Sequence, residues 1–132
     1  MANPLAITIR ISPGEMIDRL TILEIKAEHI DDETKLVNIR RELEELAAVA
    51  EKAIPENDVV EKLRAELKDV NDKLWDIEDD IRDCERKGDF GPVFVSLARA
   101  VYRTNDERAA LKRRINDALG ADIAEEKSYT PY

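Results

Sequence analysis

The sequence predicts an all-α fold, an antiparallel four-helix bundle preceded by one short β-strand, and three observations predict it. Aliphatic residues recur every three or four positions through most of the 132 residues, the period of an amphipathic helix. Charged residues make up 39% of the chain and aromatic ones only 5%, a balance that favours long helices over sandwiches and barrels. Caps and breakers then divide the pattern into four stretches. The length suits a single helical-bundle domain, 1–132, large enough for a real core. Disorder is the competing reading of so charged a chain, and the helical apolar period argues against it.

Residues 5–11, LAITIRI, alternate, with Leu5, Ile7, Ile9 and Ile11 on one face and Ala6, Thr8 and Arg10 on the other. That is the period of a half-buried strand. Its backbone groups must bond somewhere, so a partner is expected in the C-terminal tail EEKSYTPY or in the same strand of a second subunit. SPGE at 12–15 opens the first helix, about 13–30, with Ser12 as N-cap, Pro13 at N1 and Glu15 completing a capping box. A carboxylate at that mouth argues against an anion site there. Met16, Leu20, Leu23, Ala27 and Ile30 form one stripe of this helix, while Ile22 and Ile25, flanked by Asp18 and His29, form another. A helix apolar on two sides is expected between neighbours, as the most buried of the four.

The second helix, about 33–54, is capped by Asp31 or Asp32, carries Leu36, Ile39, Leu43, Leu46, Ala50 and Ala53, and ends before Pro55. The third, about 57–87, has an unbroken heptad seam of Val60, Leu63, Leu67, Val70, Leu74, Ile77, Ile81 and Cys84 before Gly88 stops it. At 1.5 Å per residue it is roughly 45 Å long. The fourth, about 92–119, places Phe94, Leu97, Val101, Thr104, Arg108, Leu111, Ile115 and Ala118 in its seam and ends at Gly120, leaving a tail of 120–132. Matched lengths and the tight KGDFGP turn predict that helices three and four form a coiled-coil-like antiparallel hairpin. The third seam exceeds what helix one or two can cover, which predicts a homodimer.

A net charge of −9 repels phosphate backbones and anionic lipid, so neither a nucleic-acid nor a membrane partner is expected. The bases Arg99, Arg103, Arg108, Lys112, Arg113 and Arg114 share one segment while acids dominate 56–89, an asymmetry suited to pairing helices. No apolar run approaches a membrane span and the N-terminus lacks a basic signal region, so a cytoplasmic location is expected. Cys84 is the sole cysteine, which excludes an intrachain disulfide, and on the seam it behaves as a small core residue.

Acidic groups invite a metal reading: Asp76, Asp79 and Asp83 on helix three, and the ExxE pair Glu42 and Glu45, of the kind used by all-α nucleotide pyrophosphohydrolases. The heptad register puts them off the seams, on a solvated face, so neither a metal nor a cofactor is expected. His29 is expected to pair with Asp18 as a structural histidine; no nucleophile shares its face, and no catalytic residue emerges. The fourth helix offers the best candidate. Its YRTNDER stretch puts Thr104 and Arg108 on the seam and Asn105 beside it. A buried arginine needs a carboxylate, and Asp18 or Glu24 of the first helix is expected to face Arg108. The alternative is a ligand-binding pocket in which Arg103 or Arg108 receives an anion through its bidentate fork, with Asn105 and Glu24 shaping it.

The blocks ISPGEMIDRLTILEIKAEHI, KLVNIRRELEEL, LARAVYRTNDERAALKRRIND and EEKSYTPY resemble a family of short bacterial proteins of unknown function, in the same order and over nearly the whole chain. That resemblance implies relatedness and no particular activity. Ile17, Asp18 and the basic residues of the first helix are weakly similar to the all-helical chorismate mutases, which bind a dicarboxylate with arginine and lysine. The regular arginine spacing of that family is absent here, so no catalytic residue is carried over. The leading expectation is a cytosolic, non-enzymatic interaction or scaffold protein acting as a homodimer. A mutase-like enzyme or a binding protein for a small anionic ligand is the alternative.

Overall fold

A computed structural model describes residues 5–123, 126 and 128–132. Four helices follow in order: α1 (Pro13–His29), α2 (Glu33–Ala53), α3 (Asp58–Lys87) and α4 (Pro92–Leu119). Their ends fall where local chemistry puts them. Ser12 Oγ accepts from the Glu15 amide at 3.1 Å, Asp32 from Lys35 and Asn57 from Val59 and Val60, satisfying amides that have no intrahelical partner. Gly88 and Gly120 close α3 and α4 in the left-handed region at φ 66° and 65°, which glycine adopts without a Cβ penalty.

The helices do not make a square bundle. α1 packs against α2, α3 and α4, α3 packs along α4, and α2 approaches α1 alone. α1 therefore lies in the groove of the α3–α4 hairpin, and α2 folds back over its outer side. Burial follows from that position: α1 buries Ile17, Leu20, Leu23 and Ile25 on more than one face, while α2 buries only Leu36 and Ile39. Ile17, Val60, Leu63, Leu67 and Ile115 form the core of the three-helix part, with Ile54, Leu111 and Leu119 packed on it. The second stripe of α1, Ile22 and Ile25, lines a groove with Leu74 and Trp75 of α3 and Asn105 and Arg108 of α4.

The expected N-terminal strand is not formed among the described residues. Leu5 and Ile7 are each 85% exposed, and residues 6–11 have no regular secondary structure. Period-two alternation says which side chains share a face; it does not supply a ladder partner. The tail goes elsewhere: the Tyr132 hydroxyl donates to Asp106 at 2.6 Å, and its ring meets Tyr102 edge-on at 5.2 Å, on the outer face of α4. An exposed ion pair, Arg10 to Asp122 at 3.7 Å, joins the two terminal segments. Residues 124, 125 and 127 of the expected pairing segment lie outside the described residues.

α1 ends at the height of Trp75, on which His29 stacks with ring centroids 4.9 Å apart. Beyond that contact, residues 76–87 of α3 and the first turns of α4 continue as a two-helix arm of about 18 Å, at 1.5 Å per residue. Leu74 and Ile81 are only half-buried for this reason.

Candidate functional site

Where α1 crosses the hairpin, buried polar residues of three helices meet. Asp18 has a side chain that is 0% exposed, and its carboxylate accepts from Arg108 Nε at 2.9 Å and Arg108 Nη2 at 2.5 Å. Asn71 Nδ2 of α3 donates to Asp18 Oδ1 and to Thr21 Oγ1, both at 2.9 Å, and the Thr21 hydroxyl donates to the Asp18 carbonyl at 2.7 Å. Burying a carboxylate is tolerable only with such partners, since an unpaired buried charge costs several kcal/mol. The carboxylate expected from the first helix opposite Arg108 is thus Asp18.

The same face of α4 continues the theme every fourth residue. Thr104 is buried. Arg108 holds Asp18. Lys112 Nζ lies 2.6 Å from Glu15 Oε2, and Asn116 Oδ1 accepts from the Gly14 amide at 2.7 Å. Spacing of four keeps these side chains on one face, and that face reads the polar side of α1 turn by turn. The first-turn amides of α1 are used up by Ser12 and Asn116, and the Glu15 carboxylate turns to Arg19 and Lys112. Lys112 and Asn116 were absent from the sequence-derived candidates, as was Asn71; a polar residue at each of 104, 108, 112 and 116 is the signal that marks the helix face.

The candidates from sequence fall into three places. Asp18, Asn105 and Arg108 gather at the crossing, with Thr104 buried one turn before Arg108 on α4. Glu24 turns away to Arg64 of α3, 2.5 Å apart. Arg103 is exposed on another side of the hairpin, with Lys73, Arg99 and Glu107. His29 does not pair with Asp18. It is exposed, and eleven residues of helix put it about 16 Å along the axis, on the same face but out of reach.

Beside Arg108 the crossing opens into a groove of about 490 Å³ between the end of α1 and the arm, with Ile22, Ile25, Leu74 and Trp75 as apolar lining, Asn71, Asn105 and Arg108 as polar lining at the crossing, and Lys26, Glu78, Asp79 and Arg82 at its lips. Next to it, donor atoms of Glu28, His29 and Asp72 lie within 4.8 Å of one another. Lys68 Nζ already sits there, 2.8 Å from Glu28 and 3.8 Å from Asp72, and the hydrogen bond to Glu28 raises its pKa above the ordinary 10.5. The trio fits an ammonium as its counter-charge. Asp76, Asp79, Asp83, Glu42 and Glu45 are all exposed, as the heptad register predicts.

Burial pushes the Glu15 carboxyl up, but hydrogen bonds and charge from Lys112 and Arg19 outweigh it, leaving its pKa below the ordinary 4.5. A depressed carboxylate contributes stability that is present above its unfolded value and lost as pH falls through the folded one. Calorimetry is therefore expected to show Tm falling as pH drops below 4.5, with a smaller acid-side fall in Glu15→Gln. An identical acid profile in both proteins would remove Glu15 from the account.

A family model described as "Family of unknown function (DUF6165)" matches residues 7–132. No curated protein and no solved structure matches the chain.

Proposed function

The chain belongs to the DUF6165 family of unknown function, and we propose that it is a helical interaction protein working as a homodimer through the α3–α4 arm. The observation that carries this reading is the arm itself: α1 stops at Trp75, so among the described residues α3 and α4 continue with only each other for cover. Phe90, Val93 and Val95 at its tip are each more than half exposed, and exposed apolar clusters on soluble domains commonly mark interaction surfaces. The arm also carries both signs of charge, with Asp80 and Asp83 exposed on α3 and Arg99 and Arg103 exposed on α4. A two-fold interface brings the same patch of each copy together, so the acids of one arm can meet the bases of the other twice over.

Two further contacts support binding over nucleophilic chemistry. His29 is stacked on Trp75, and Cys84 is buried on the α3 seam. Light scattering of the intact protein tests the reading. A particle of twice the 15.0 kDa chain mass is expected, with Val93→Glu combined with Val95→Glu giving a monomer of unchanged helical circular dichroism. A wild-type monomer at the highest soluble concentration would contradict the homodimer.

A further inference from the structure

We infer that the groove at the end of α1 binds a small monoanion with a flat apolar body, an aromatic carboxylate in chemical class. Its volume of about 490 Å³ lies within the range of small-molecule sites, which combine apolar walls with a few convergent polar groups. Here the wall is Ile22, Ile25, Leu74 and Trp75, broad enough for a ring. The polar side is Arg108, whose guanidinium is fixed by the two bonds to Asp18 while 30% of its side chain stays exposed. A guanidinium held in place before the ligand arrives loses little freedom on binding.

Lys26 at the α1 lip supplies a further cation. The carboxylates and the arginine of α1 (Glu15, Asp18, Arg19, Glu24 and Glu28) all make ion pairs, whereas Lys26 makes none among the described residues. It lines the groove, half-buried. The opposite lip carries Glu78, Asp79 and Arg82, with Glu78 tied to Arg82 at 3.4 Å. Arg82 offsets Glu78, and Asp79 remains at the rim to oppose a multiply charged ligand, which favours a single carboxylate over a phosphate. The groove reaches the base of the arm through Glu78, Asp79 and Arg82, but the apolar tip proposed as the dimer contact lies apart from it: Val93 lies with Asp80, Asp83 and Leu97, none of which lines the groove.

Trp75 is the sole tryptophan, so its indole N–H gives one NMR cross-peak at the wall of the site. The probes are 2-naphthoate, the neutral 2-naphthylmethanol and inorganic phosphate. Naphthoate is expected to shift that peak to saturation with a Kd of about 1 mM or below. The alcohol is expected to bind about tenfold more weakly, the worth of a charge-assisted hydrogen bond, and Lys26→Gln to weaken naphthoate by a similar factor while its circular dichroism is unchanged. Arg103→Gln, and Val93→Glu combined with Val95→Glu, should leave the titration as it is; binding that survives in the double variant separates this site from dimerisation. No saturable shift, equal affinity for the alcohol, an unaffected Lys26→Gln, or tighter binding of phosphate would each overturn the inference.

Discussion

Replacing Arg108 with methionine is expected to destabilise the protein by about 3–5 kcal/mol, the cost of breaking a buried pair by removing one partner. Chemical denaturation measures it. Asp18 is left with Asn71 as its side-chain donor, at a position with 0% exposure. A loss of this size approaches the whole stability of an ordinary domain, about 5–15 kcal/mol. Removing Asp18 as well does not complete the repair. In Asp18→Leu with Arg108→Met, the Asn71 amide keeps Thr21 but loses its carboxylate acceptor. Only when Asn71→Leu is added is every severed hydrogen bond of the layer gone, and that triple variant is expected to recover most of the loss.

Gly14→Ala is expected to cost about 3 kcal/mol, the upper end of ordinary overpacking. A Cβ at Gly14 would lie 2.4 Å from the Lys112 carbonyl oxygen and 2.9 Å from Asn116 Oδ1. The first of these is helix backbone and cannot yield by a rotamer change. α1 would have to lift off α4, taking with it the Gly14–Asn116 bond and the Glu15–Lys112 pair. On an exposed helix the same exchange is worth up to about 1 kcal/mol in favour of alanine. The sign of the change in Tm therefore reports whether the two helices touch: a rise would contradict the close approach.

The helix boundaries were legible to within a residue because caps and breakers are local. Ser12, Asp32, Asn57, Gly88 and Gly120 act on amides and carbonyls a few positions away, whatever the rest of the chain does. The Asp18–Arg108 pair was legible for a related reason, since a charge on an apolar seam demands an opposite charge. Lys112, Asn116 and Asn71 were not. A heptad seam describes one contact face, and α3 and α4 each have two, one for the other and one for α1. Asn71 sits beside Val70, and Lys112 beside Leu111, at positions the single seam assigns to solvent. Gly14 was hidden by its neighbours, because Ser12, Pro13 and Glu15 fully explain a helix start without it. The strand misled for the opposite reason: its alternation is real, but no strand forms among the described residues.

The resulting view of YRTNDER is of a segment used from both sides. Its outer face, Tyr102 and Asp106, holds Tyr132. Its inner face, Thr104 and Arg108, begins the row that ends at Asn116 and fixes α1 in the hairpin groove, where the arm is left uncovered and the groove beside Arg108 is shaped. The most direct test is a double-mutant cycle of Asp18→Ala and Arg108→Met, read as unfolding free energies in denaturant. Residues joined in one hydrogen-bonded network couple by up to about 3 kcal/mol, and a coupling of about 2 kcal/mol or more is expected here. Effects that add to within about 0.5 kcal/mol, as independent sites do, would contradict it.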